Sequence, residues 1–164
     1  MAYFDGFPNT LFNGQNLTNI TVRLNFLTQI QSNAALFQYF FVQDGDRPED
    51  IAFQAYGDSN LYWIVLWLNN IIDPYLEWPQ TSEQLMEYVQ NVYGVENVYA
   101  THHYESIAGS NLPLGTWVNL GTPFSQAVTN FDYENNVNEG KRKIKLLYPG
   151  YLPQVLQEYN SALS

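Results

Sequence analysis

The sequence predicts an α+β fold, and three observations carry that prediction. Strand-like segments stand at Ile20–Phe26, Phe37–Val42 and Lys143–Leu147, where residues alternate apolar and polar or run β-branched and aromatic. Helix-like segments stand after Pro48, after Asp58 and after Thr81, each with apolar residues at helical spacing between a start and a stop signal. The length of 164 residues suits one domain, or a smaller domain carrying arms, and no internal repeat divides it.

Taken in order, residues 1–19 read as an irregular arm. Gly6, Pro8, Asn9, Asn13 and Gly14 punctuate it, while Tyr3, Phe4, Phe7, Leu11 and Phe12 supply apolar anchors that a solvated tail would lack. Ile20–Phe26 alternates as a half-buried strand does, and a helical turn over Leu27–Ser32 follows. Phe37–Val42 is a strand ending at the turn Asp44-Gly45-Asp46. Pro48 then suits the first turn of a helix, with Glu49 and Asp50 beside its positive end and Gly57 at its stop.

A second helix starts at a cap supplied by Asp58, Ser59 or Asn60. Its register turns Leu61, Ile64, Val65 and Leu68 inward, and Asn69-Asn70 breaks it. Asp73-Pro74 and Trp78-Pro79 mark a compact turn region. A third helix begins at Thr81 or Ser82, carries Leu85, Met86, Val89 and Tyr93 as its stripe, and ends at Gly94. Further strands are expected at Val98–Tyr104, Thr116–Leu120, Val128–Tyr133 and Lys143–Leu147. Pro149-Gly150 then turns the chain into a last helix over Leu152–Leu163.

Composition narrows the function. Net charge is −10, and no Lys or Arg falls between Pro48 and Gly140, against twelve acids from Glu49 to Glu139. So acidic a body repels nucleic acid and anionic membranes. Four of the six cations sit within five positions, at Lys141, Arg142, Lys143 and Lys145, where they face an acidic neighbour or stitch to the acidic body. The 27 aromatics, with 18 Asn and 12 Gln, exceed what one small core uses, and interfaces are enriched in Tyr, Trp and Phe. The opening residues lack the basic and apolar regions of a secretory signal, and the longest apolar stretch, Leu61–Leu68, is too short to cross a membrane.

Motifs of catalysis are missing. With no cysteine there is no thiol nucleophile, disulfide, Cys-ligated zinc or iron–sulfur cluster. His102 and His103 are neighbours, so on a regular strand they point to opposite faces and cannot share a metal. Asp44 and Asp46 lack the further acids of a calcium loop. No Gly-x-Ser-x-Gly, Gly-x-Gly-x-x-Gly or P-loop pattern occurs. The expectation is no enzyme, no cofactor and no metal. A hydrolase built on His102 or His103 with a nearby acid stands as a distant rival.

The segment from Val42 to Gly57 resembles the first half of a LysM domain, with a Gly45-Asp46 turn, then Arg47-Pro48, Ile51-Ala52 and Tyr56-Gly57. Gly45 permits the tight turn, and Ile51 and Ala52 pack the helix on the strands. Asn69 fits that family's second helix, which leads to a second strand. LysM modules commonly bind N-acetylglucosamine polymers, so this resemblance implies, as the alternative reading, a peptidoglycan- or chitin-binding module of a cell-wall or lysin protein. Arg47-Pro48 and the apolar run from Tyr62 to Trp67 depart from ordinary LysM sequences.

Those departures, with Tyr56-Gly57-Asp58, Trp63 and Asp73–Pro79, resemble a narrower family: the small LysM-like baseplate wedge subunit of contractile-tailed, T-even type bacteriophages. Phe7-Pro8 with Asn13-Gly14 is similar to that family's N-terminal arm, and Asn130–Tyr133 with Asn138–Ile144 to its C-terminal signature. Residues 95–128 carry no motif of it. The resemblance implies a strand-helix-helix-strand module at 42–96, an N-terminal docking arm with strands at 1–41, and a C-terminal partner-binding extension at 97–164. It also implies a structural protein of the virion, assembled in the host cytoplasm, that clamps neighbouring wedge core subunits and helps join wedges around the central hub. The central hub or the sheath-initiating wedge protein is its further expected partner. The expected contacts are Tyr3, Phe4, Phe7, Trp63, Trp67, Tyr75 and Trp78, with Lys141, Arg142, Lys143 and Lys145.

Overall fold

A computed structural model of the chain describes Phe4, residues 6–19 and residues 34–163. Tyr3, the expected strand Ile20–Phe26 and the turn over Leu27–Ser32 lie outside the described residues. The elements in order are strands β1 (Asn9–Phe12), β2 (Gln15–Thr18) and β3 (Phe37–Phe41), then helices α1 (Pro48–Tyr56), α2 (Tyr62–Leu68), α3 (Pro74–Glu77) and α4 (Ser82–Tyr93). Strands β4 (Thr101–Ser106), β5 (Trp117–Val118) and β6 (Ser125–Thr129), helix α5 (Asn130–Lys141), strand β7 (Lys143–Leu147) and helix α6 (Leu152–Leu163) follow. The protein is thus α+β, as expected. The chain forms two compact units, residues 1–78 with 143–164, and residues 79–142.

In the first unit β3 and β7 form a two-stranded antiparallel sheet, with Phe37 opposite Leu147 and Phe41 opposite Lys143. Helix α1 begins at Pro48, whose missing N–H costs nothing at a helix start, and ends where Gly57 turns left-handed at φ 76°. Asp58 then accepts a hydrogen bond from the Asn60 N–H, capping the turn that leads into α2. Leu61, Ile64, Val65 and Leu68 are buried as the helical register predicts, and Trp63 is buried with them. Among the described residues this unit's core has two clusters. Phe7, Phe37, Trp63, Leu147, Val155 and Tyr159 belong to one, and Val42, Ile51, Ala52, Trp78, Ile144 and Leu146 to the other.

The LysM resemblance implies a second strand after the second helix, within a module at 42–96; the structure pairs β3 with β7, after the whole of residues 79–142 has intervened. Lys143–Leu147 and Leu152–Leu163 are therefore core elements of the first unit, with Ile144, Leu146, Leu147, Val155 and Tyr159 each no more than 3% exposed.

The expected irregular arm also differs: β1 and β2 pair as a hairpin, Asn9 opposite Thr18 and Phe12 opposite Gln15. Its two-residue turn is Asn13-Gly14, with φ 50° and 77°. Positive φ at both positions is the geometry that matches strand twist, and Asn-Gly is the pair that adopts it most readily. All eight strand residues are exposed, so no apolar alternation announces the strands.

In the second unit Thr81 opens α4 with a capping box: its hydroxyl accepts from the Gln84 N–H, and the Gln84 side chain accepts from the Thr81 N–H. Leu85 and Val89 pack with Val98, and Met86, Tyr93 and Phe131 lie against them. Strands β5, β4 and β6 form an antiparallel sheet in that spatial order. The expected strand Val128–Tyr133 is corrected here. Its first two residues end β6, and from Asn130 the chain is helical, because Thr129 and Asp132 make a second capping box. Helix α5 buries Asn130 and Asn138 and presents no apolar stripe, so periodicity does not reveal it.

Candidate functional site

The Gly45 turn is built from its own polar groups. Gly45 has φ 87°, the Asp46 carboxylate accepts from the Gln43 N–H at 2.9 Å, and the Asp46 N–H donates to the Gln43 carbonyl at 3.2 Å. Trp78 Nε1 donates to the Asp46 carbonyl at 2.9 Å, tying the turn to the far end of α3. Arg47 is exposed, whereas Pro48, Ile51 and Ala52 are buried. Tyr56 lies half-buried, and its hydroxyl accepts the Leu147 N–H at 3.1 Å. Burial pushes its phenol up to about 12, against the smaller lowering effect of that hydrogen bond.

The expected contact residues divide between inside and outside. Trp63 is 6% exposed and packs its ring 5.0 Å from that of Tyr159. Trp78 is buried too, and Trp67 packs against the core. Phe7 is buried in the core of the first unit, so the N-terminal anchor docks on this chain, with Phe4 edge-on against it at 5.1 Å. Tyr75 alone of the four module aromatics is outward, at 91% exposure.

Tyr75 belongs to a braced apolar projection that the sequence reading missed. The Glu77 carboxylate accepts from the backbone N–H groups of Ile72 and Asp73, at 2.6 and 3.1 Å. The Asp73 side chain caps α3 by accepting from the Tyr75 N–H at 2.9 Å. The loop so fastened holds Ile72, Tyr75 and Leu76 in solvent, the first at 90% exposure. On the hairpin, Leu11, Phe12 and Leu17 are likewise exposed. A lone two-stranded hairpin is marginal in water, and apolar groups displayed this way mark interaction sites.

The basic cluster is split between roles. Arg142 is buried, with Nε donating to Glu139 Oε1 at 2.6 Å and Nη2 reaching the Gln80 carbonyl at 3.5 Å. Lys143 and Lys145 lie on β7 over aromatic rings, their Nζ atoms 4.3 Å from the Tyr39 centroid and 4.7 Å from the Phe37 centroid. Each is an ammonium over a ring face at cation–π distance. Lys141 is partly exposed at the end of α5.

The two histidines were expected on opposite faces, and the structure corrects this. The ladder between β4 and β6 shifts register between Thr101 and His103. Such an irregularity re-aims a side chain. The His102 and His103 Nδ1 atoms are 2.7 Å apart, and His103 Nε2 is 2.8 Å from Glu105 Oε1. His102 stacks on Tyr133 and His103 on Trp117, each at 4.1 Å between centroids. Both nitrogens of His103 are engaged by protein groups and its side chain is 8% exposed, which suits packing rather than proton transfer to a substrate. Among the described residues no group of three or more His, Asp or Glu side chains is arranged to hold a metal ion. Among them, too, no helix is long and apolar enough to cross a membrane.

Comparison with known proteins adds to this picture. A family profile described as base plate wedge protein 53 matches residues 9–164. The baseplate wedge protein gp53 of Enterobacteria phage T4 is 33% identical over 64 residues. That alignment covers 37% of this chain and 33% of the phage T4 protein, so the match spans about a third of the relative's length.

Proposed function

Because the chain belongs to the base plate wedge protein 53 family, we propose that it is a structural, non-catalytic component of a phage tail baseplate wedge. The observation that carries this reading is the family match across residues 9–164, which takes in both compact units. The relative in phage T4 bears the name of a baseplate wedge protein. The surface supports the same role: apolar side chains on the hairpin and on the Ile72–Leu76 projection are held outward and need a partner to cover them. Its place is then the tail baseplate of a contractile virion, reached by assembly in the host cytoplasm. Its partners are other wedge core subunits, with the central hub or the sheath-initiating wedge protein beyond them.

The β3–α1–α2–β7 order supports reading the first unit as a LysM-like strand-helix-helix-strand module, opened by an insertion of residues 79–142 before its closing strand. In that reading the family turn at Gly45–Pro48 serves as a structural corner. The comparisons lend a carbohydrate-binding role no support.

The experiment is co-purification of the full chain with the other wedge proteins of a phage of this type. The chain is expected in a stoichiometric complex, and Tyr75→Ala with Leu76→Ser is expected to weaken its incorporation without changing its melting temperature. A full-length folded chain that stays apart from every wedge protein contradicts the proposal.

A further inference from the structure

The two edges of the β3–β7 sheet are treated differently. On β7 the outward-facing groups of Lys145 and the Leu147 N–H are already taken. Asn69 Oδ1 accepts the Lys145 N–H at 2.7 Å, Asn69 Nδ2 donates to the Lys145 carbonyl at 2.9 Å, and the Tyr56 hydroxyl accepts the Leu147 N–H. Because Lys145 turns its backbone groups away from β3, the pair it forms with Tyr39 is a non-hydrogen-bonded pair of the antiparallel ladder. Tyr39 therefore turns its own N–H and C=O away from β7, and by the two-residue period Phe41 does the same.

On that outer edge of β3, the Phe41 carbonyl accepts from Gln43 Nε2 at 3.0 Å. Among the described residues nothing is paired with the Tyr39 N–H, the Tyr39 carbonyl or the Phe41 N–H. Side chains mark the same place. Tyr39 is 63% and Phe41 53% exposed, and Lys143 and Lys145 stand beside them across the ladder. Among the described residues neither lysine has a carboxylate within ion-pair distance, although the chain carries sixteen acids.

From this we infer that the outer edge of β3 receives an extended acidic segment of a neighbouring subunit, which adds a strand to the sheet and sets its carboxylates by Lys143 and Lys145. The inference rests on the wedge reading and deepens it, since it names where one partner binds and what that partner looks like. An alternating row of N–H and C=O groups is complemented by another polypeptide backbone. A nucleic acid or a lipid headgroup would satisfy the lysines and leave that row unmatched. The exposed rings of Tyr39 and Phe41 give the added strand apolar surface to pack on, and the lysines, which meet no carboxylate among the described residues, select acidic residues at alternate positions.

The test is backbone amide exchange in the full chain, free and in the wedge complex, with three variants. Tyr39→Pro deletes an N–H that the existing ladder does not use, so the sheet persists while the edge is blocked. Tyr39→Ala keeps the N–H and removes the ring. Lys143→Glu with Lys145→Glu inverts the charge. The Tyr39 and Phe41 amides are expected to slow by about tenfold or more on assembly. Incorporation is expected to fall for Tyr39→Pro and for the double glutamate variant, each still folded by circular dichroism, and to fall less for Tyr39→Ala.

If the chain joins the wedge while those two amides exchange unchanged and Tyr39→Pro incorporates normally, the inference is wrong and the wedge reading stands. If the two amides slow in the isolated chain as its concentration rises, the occupant is a second copy, which also overturns it. If the chain joins no wedge protein at all, both readings fall together.

Discussion

Asn69 clips the peptide groups of Lys145 from both sides, its Oδ1 accepting the N–H at 2.7 Å and its Nδ2 donating to the carbonyl at 2.9 Å. The same Nδ2 also donates to the Val65 carbonyl at 2.8 Å, so the clip is anchored in the last turn of α2. One amide thus fastens the end of a helix to a strand 76 residues away in sequence. Asn69→Ala is expected to leave two half-buried backbone groups unsatisfied and to cost about 2–3 kcal/mol. Denaturant unfolding of the full chain measures it. Asn69→Asp keeps the acceptor but sets a carboxylate oxygen against the Val65 and Lys145 carbonyls, so it should cost at least as much as alanine.

The second unit repeats the device. Asn138, 2% exposed, accepts the Gln80 N–H at 2.7 Å through Oδ1 and donates to the Gln80 carbonyl at 3.0 Å through Nδ2. Asn138→Leu has similar volume and no hydrogen-bonding group. It is expected to destabilise the unit by about 2–4 kcal/mol, because the Gln80 N–H loses its partner and the Gln80 carbonyl keeps only the 3.5 Å contact from Arg142 Nη2. Thermal unfolding reports it as a lower first transition, and a change under about 0.5 kcal/mol counts against the clip.

Thr129→Ala tests the start of α5. The hydroxyl accepts the Asp132 N–H at 3.1 Å and donates to the Asp132 carboxylate at 2.7 Å. Loss of such a cap costs about 1 kcal/mol, and Thr129→Ser should restore most of it. Chemical denaturation of the three proteins side by side decides this.

Alkaline pH tests the Tyr56–Leu147 contact. The folded chain holds the Tyr56 proton up to about 12, chiefly through burial, against an ordinary value of 10.0. Between those values the unfolded chain binds fewer protons than the folded one, so stability is full below pH 10 and declines as pH rises toward 12. Tyr93, whose hydroxyl donates to Glu134 at 2.8 Å, is also pushed up to about 12, by burial first and Glu134 next, and contributes with the same sign. Tyr56→Phe is therefore expected to flatten part of the loss and Tyr56→Phe with Tyr93→Phe more of it. Unfolding midpoints measured from pH 8 to 12 show whether they do.

The first helices were legible because their signals are local. Pro48, Gly57, Asp58 and the Thr81/Gln84 box mark boundaries within a few residues of themselves, and Leu61, Ile64, Val65 and Leu68 keep one face. What could not be read depends on distance or on polar residues. That β3 waits for β7 across residues 79–142 is a non-local pairing which no spacing near β3 encodes. Helix α5 hides because it buries two asparagines, and His102 meets His103 because of a register shift that the strand period does not contain.

The amides teach the same lesson. An Asn-rich composition suggests a polar surface, yet Asn69 and Asn138 serve as clips on backbone inside the two units. Asn130 joins them, donating to the Asn97 carbonyl at 2.8 Å. For the surfaces proposed to meet partners, the aromatic count pointed to an interface and could not tell Trp63, which is core, from Tyr75, which is outward. The signal for the projecting loop was available in Asp73-Pro74 and Glu77, whose carboxylates fasten it.

The central claim is that this chain is a fastener within a baseplate wedge, and mass measured in solution tests it most directly. The full chain is mixed with the purified wedge core proteins of a phage of this type and run by sedimentation velocity. The account predicts that the chain leaves the 18.9 kDa boundary and moves with the wedge in a fixed ratio. A folded chain that stays at its own mass in the presence of every wedge protein contradicts it.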